Sequence, residues 1–137
     1  MDDHIRSTIR RSLQLRHVDC GSCNGCESEL ALVFSPRYDG QRHGIDMVAS
    51  PRHADAITVS GPVTVQMQAA LARTYDAMGQ PRGVIALGDC AIDGHVHASG
   101  YASGTGVQSQ LPVDLKIPGC PPPPDAILRA LTSFMGR

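Results

Sequence analysis

The chain has 137 residues and nearly balanced charge, 12 Lys and Arg against 13 Asp and Glu, for a formal net charge of −1. It is 42% hydrophobic and 4% aromatic, with no Trp. That length supports one domain around one core, the apolar fraction argues against wholesale disorder, and the absence of a basic excess or aromatic platform argues against nucleic acid as a partner.

Residues 1–12 read as a basic tail. Ile5, Ile9 and Leu13 repeat at helical spacing and give a weak apolar stripe, so a docking helix and a frayed terminus are both open readings. The first 16 residues carry Arg6, Arg10, Arg11 and Arg16 and no apolar run, so no secretory signal is expected and a cytosolic location is. No stretch approaches the roughly 20 apolar residues that span a bilayer.

From Leu13 the pattern alternates between strands and helices. Residues 13–19 (LQLRHVD) alternate as a strand, and 25–34 (GCESELALVF) open a helix. Residues 45–50 and 56–60 read as short strands. Gly61-Pro62 breaks the second, and Pro62 is suited to open a helix over 63–78. Residues 83–88 (GVIALG) form the continuous apolar run of a strand covered on both faces. Residues 91–111, rich in Gly and Ser, resist assignment, and a connection that long is usually functional. Residues 113–117 alternate as a half-exposed strand near an edge, and 125–135 close as a helix. Strand 56–60, helix 63–78 and strand 83–88 make a βαβ unit, which implies parallel strands. The expected architecture is a single three-layer α/β domain over 13–137 with a small, mostly parallel sheet.

Five cysteines stand at 20, 23, 26, 90 and 120. An odd number cannot pair completely, and a reducing cytosol disfavours disulfides. In open parallel sheets, ligands sit beyond the carboxyl ends of the strands. Cys23 and Cys26 follow the first strand, Cys90 follows GVIALG, and Cys120 follows VDLKIP. Three segments thus bring thiols to one sheet edge. Four thiolates there suit tetrahedral zinc or a [4Fe–4S] cluster. Structural zinc usually takes two C-x-x-C knuckles and only one exists here, which favours the cluster. Cys20 is the surplus thiol; three ligands from 20–26 with one other is the alternative. His95 and His97 read as loop residues. GTGVQS (104–109) lacks the third glycine of a dinucleotide fingerprint.

The stretches GSCNGCESEL (21–30), SPRYDGQRHGID (35–46), SPRHADAITVSGPVT (50–64), YDAMGQPRGVIALGDCA (75–91) and LPVDLKIPGCPPPPDAIL (111–128) resemble the small cluster-bearing subunit shared by NiFe hydrogenases and NADH:quinone oxidoreductase (its 20 kDa subunit). Asn24-Gly25 separates the first two cysteines of that motif, as in hydrogenases, whereas complex I proper has them adjacent. The chain is most similar to the membrane-associated, energy-converting, formate hydrogenlyase-type group. Glu27 stands where that group usually has Asp, and His43 where an aromatic is common.

The resemblance implies a flavodoxin-like fold and one [4Fe–4S] cluster held by Cys23, Cys26, Cys90 and Cys120. It implies an electron-transfer subunit, inactive alone, between a ferredoxin-type iron–sulfur subunit and a NiFe-type large subunit. Membrane subunits would place the complex on the cytoplasmic side of the inner membrane. The same relay toward quinone with a complex I-type large subunit, and a zinc-stabilised binding module, are the other expectations. Arg37 and Arg52 match family arginines near the cluster or the subunit interface; surface arginines in turns are the plainer reading. Glu29 matches a family acid suited to proton relay, or simply an acid favoured in a first helical turn.

Overall fold

The computed structural model describes residues 3–137. The first two residues of the expected basic tail lie outside the described residues.

The elements run α1 (Asp3–Ile9), β1 (Leu13–Asp19), α2 (Gly25–Val33), β2 (Ile45–Met47), β3 (Ala56–Ser60), α3 (Gln68–Asp76), β4 (Gly83–Leu87), α4 (Asp89–Asp93), β5 (Leu115–Ile117) and α5 (Pro124–Phe134). The strands form one five-stranded sheet in the order β2-β1-β3-β4-β5, and all four pairings are parallel. That is the flavodoxin-like doubly wound order, whose direction of winding reverses between β1 and β3.

Each face of the sheet has its own core. Leu13 and Leu15 of β1, with Ile85 and Leu87 of β4, pack against α1, α2 and α5. Val18, Ile57, Val59, Val84 and Ala86 pack against Leu71 of α3 and the segment after β4. The period-2 alternation of strand side chains sends these two sets to opposite faces. β3 and β4 are buried along their whole length, which is why they read as unbroken apolar runs. At the amino ends of the strands, Asp55 accepts from the Gln14 N–H and Asp114 from the Val84 N–H, each at 2.9 Å. These carboxylates satisfy backbone donors in the neighbouring strands.

The structure departs from the sequence expectation in three places. α3 begins at Gln68, not at 63, because Val63 takes φ 58° and the turn after it bonds elsewhere. The Thr64 N–H donates to the Cys20 carbonyl and the Val65 N–H to the Ala102 carbonyl. β2 stops at Met47 and β5 starts at Leu115, although the Val48 and Asp114 N–H groups still bond to the neighbouring strands. Residues 91–111 are not structureless: they hold the end of α4 and 3-10 turns at His95–His97 and Val107–Ser109. Of the two readings open for the segment before β1, the structure has the docked helix, with Ile5 and Ile9 in the core with α2 and α5.

Ile9 is 1% exposed. Ile9→Ala should therefore lower the urea-unfolding free energy by about 3 kcal/mol, the cost of an unfilled core site. A frayed terminus would leave it unchanged.

Candidate metal centre

The loop after β1 is shaped by its own side chains. The Asp19 carboxylate accepts from the N–H groups of Gly21 (3.1 Å) and Ser22 (2.8 Å), which turns the chain off the strand. Asn24 then takes the left-handed conformation at φ 71° and precedes α2. Cys23 is exposed on this loop and Cys26 is buried in the first turn of α2. The helix N-terminus favours a negative sulfur there. On the other side of the site, Gly88 follows β4 and caps α4, which begins with Asp89 and the half-buried Cys90. β5 ends shortly before Gly119 and the exposed Cys120.

Two glycines make the close approach of these loops possible. At Gly88, with φ +86°, a Cβ would lie 2.5 Å from the Cys26 sulfur. At Gly61, with φ +83°, it would lie 2.6 Å from the Ser22 nitrogen. Only a residue without a side chain lets β3 and β4 exit beneath the cysteine loop.

The result is one recess at the carboxyl crest of the sheet, lined by Cys23, Cys26, Cys90 and Cys120, with Asp89 and His97 also in its wall. It adjoins the β1/β3 reversal, the place where open α/β sheets bind ligands. The thiols feel one another. Burial pushes Cys26 up to about 12, and the charges of Glu27, Cys23, Cys90 and Cys120 add to the shift. Cys90 is raised by burial, then by Cys120, Cys23, Asp89 and Asp93. Four sulfurs that repel as thiolates share a pocket only if a cationic group compensates them or their protons stay on. Among the described residues, no three His, Cys, Asp or Glu side chains are grouped so as to hold a metal ion as they stand. The sulfurs surround the recess, and a polynuclear group with one metal per thiolate fits that donor set.

Beside the recess lies a polar network on the α2 face of the sheet. The Ser22 hydroxyl donates to Glu27 at 2.7 Å, and Ser60 also donates to Glu27. His17 Nε2 is 3.1 Å from the same carboxylate, and its Nδ1 is 3.0 Å from the Thr58 hydroxyl. Burial alone would raise the Glu27 pKa, but donors from Ser60, Ser22, the Glu27 backbone N–H and His17 hold it below the usual carboxylate range. The sequence reading gave the relay role to Glu29 and overlooked this network. A signal was present: His17, Thr58 and Ser60 occupy inward strand positions where apolar residues would otherwise stand.

The remaining residues singled out in the sequence lie elsewhere. Glu29 is half-buried on α2, outside the recess wall, and its side chain makes no hydrogen bond among the described residues. Arg37 is exposed, with its guanidinium 5.8 Å from the Tyr38 ring centre. Arg52 is exposed in a 3-10 turn before β3. Neither arginine lines the recess. His97, read as a plain loop residue, does line it. Cys20 is fully buried in the core beneath α3, and burial followed by the Asp19 charge pushes its thiol up to about 12. In the metal-free native chain at pH 8, iodoacetamide should therefore label the exposed Cys23 and Cys120 and spare Cys20, as peptide mass spectrometry would show.

Comparison with known proteins gives one family. The profile of the NADH ubiquinone oxidoreductase, 20 Kd subunit matches residues 23–134. Probable membrane-bound hydrogenase subunit mbhJ of Pyrococcus furiosus is 42% identical over 123 residues, which cover 90% of this chain and 74% of that protein. Formate hydrogenlyase subunit 7 of Escherichia coli is 40% identical over 136 residues, 99% of this chain and 53% of that protein. This chain thus spans about half the length of the second relative. Among solved structures, a chain of the membrane-bound sulfane sulfur reductase, an archaeal respiratory membrane complex, superposes with a TM-score of 0.82 at 28% identity, covering 99% of this chain and 75% of that one. With the profile covering most of the sequence, the chain belongs to the NADH ubiquinone oxidoreductase 20 kDa subunit family.

Proposed function

We propose that this chain is the electron-transfer subunit of a hydrogenase-like oxidoreductase, and that Cys23, Cys26, Cys90 and Cys120 hold one [4Fe–4S] cluster. Its family makes it a subunit of an oxidoreductase complex of the hydrogenase or complex I type. The observation that carries the finer reading is the convergence of four thiols from three loops on one recess. Such a cluster supplies one-electron transfer at a potential set by net charge, hydrogen bonds to its sulfurs and solvent exposure.

The chain's own residues do the holding. Cys26, in the first turn of the nine-residue α2, presents its sulfur where the helix dipole favours negative charge. Glu27 fixes the Ser22 hydroxyl, which in turn accepts from the Asn24 N–H at 3.1 Å, so the loop carrying Cys23 is anchored on both sides. Burial raises the thiols of Cys26 and Cys90, so both would give up their protons to ligate a metal.

The chain's place is between a ferredoxin-type iron–sulfur subunit and a NiFe-type large subunit. No helix among the described residues is long and apolar enough to cross a membrane. Relatives named for membrane-bound complexes support peripheral attachment through membrane subunits, which we place on the cytoplasmic side of the inner membrane. The exposed Arg37 and Arg52 would meet the large subunit, and Glu29 would move protons on that side. The family name favours a second reading, the same relay toward quinone. Asn24-Gly25 between the first two cysteines favours the hydrogenase type. The sequence of the large subunit decides between them: four cysteines able to hold nickel and iron support hydrogen chemistry.

Anaerobically reconstituted protein should be brown and carry about four irons per chain. Serine at position 23, 26, 90 or 120 should reduce iron content and bleach the visible absorption, whereas Cys20→Ser should not. Colourless protein with one zinc per chain would overturn the cluster reading. The chain alone should evolve no hydrogen.

A further inference from the structure

The cysteines from β4 and β5 are single, and nothing in the sequence ties one to the other. The structure ties them through the residues immediately before each. The Asp89 carboxylate accepts the Gly119 N–H at 2.9 Å, and the Asp89 N–H donates to the Gly119 carbonyl at 2.9 Å. One residue further back, the Gly88 N–H donates to the Ile117 carbonyl at 2.8 Å. The carboxylate therefore extends the β4–β5 pairing one step beyond the sheet, to the point where Cys90 and Cys120 begin.

We propose that Asp89 is a positioning residue that preassembles the Cys90–Cys120 half of the recess before any metal arrives. The proposal rests on the four-thiol reading of the recess. Electrostatics argues that the gain is geometric. Asp89 lies in the recess wall and its charge works against the thiolate form of Cys90. A carboxylate placed among prospective thiolates weakens their ionisation, so its contribution has to come from the bond it accepts. A charge-assisted bond to a backbone N–H is among the stronger kinds. A side chain that held the loop without charge would do the same work, and this makes asparagine the informative replacement.

The test uses the full chain and reads the clamp with and without iron. In the metal-free wild type, the Gly119 amide should exchange with deuterium far more slowly than an open loop amide. Asp89→Asn should keep that protection, and Asp89→Ala should speed exchange about tenfold or more, the loss of one charge-assisted bond. After anaerobic reconstitution, Asp89→Asn should hold its iron against a chelator as the wild type does, and Asp89→Ala should release it at least about fivefold faster. An unprotected Gly119 amide in the metal-free wild type would overturn the proposal, and that measurement requires no variant to fold. Wild-type iron retention in Asp89→Ala would overturn it as well. Failure of the wild type itself to take up iron would instead overturn the cofactor reading, and the exchange data would show whether the clamp exists regardless.

Discussion

Gathering four thiols from separate strand exits at one crest of the sheet is the constraint around which this domain is arranged. Cys26 and Cys90 are both pushed up by burial and by the other thiols. Ionising such groups in the recess costs stability. The rest of the fold supplies it. Two apolar cores, one on each sheet face, hold the strands in place, and the thiols sit on the loops and helix starts beyond the strand ends. Only Cys26 among the four reaches into a core cluster. Cys20, which belongs wholly to the other core, behaves as a small apolar residue.

Parallel topology is what makes the gathering possible. All strands point the same way, so every strand exit faces the same crest, and residues far apart in the chain meet there without a long excursion. Short loops then need bare backbone to pass one another, as at Gly61 and Gly88. Polar side chains secure what the glycines permit. Glu27 binds the first cysteine loop to the sheet through Ser60 and His17, and Asp89 joins the two single-cysteine loops.

Much of this was legible in the sequence, and the limits have physical causes. β1 and β3 were readable to the residue, because alternation and continuous burial are local signals. The approach of the cysteines to one sheet edge was readable from their places after parallel strands, although those places left Cys20 open as an alternative member of the set. The start of α3 was not, because Val63 is bent out of the helix by bonds to residues on either side of it in the fold. The 91–111 connection is ordered by the same kind of contact, with the Gly106 N–H on the Pro62 carbonyl. The Asp89–Gly119 and Glu27–His17 partnerships were out of reach for a similar reason. Sequence shows which residues flank the cysteines, whereas the partner of each carboxylate is set by the pairing of strands.

The unequal exposure of the four sulfurs has a consequence of its own. The buried Cys26 and the half-buried Cys90 form the floor, and Cys23 and Cys120 form a lip open to water. Solvent at the lip damps the charge of whatever the sulfurs grip, while the floor does not. A neighbouring molecule seated over that lip would strip the water away and raise the local field without moving any atom of this chain. With the proposed cluster in place, the isolated domain and the same domain docked would then offer an electron two different energies.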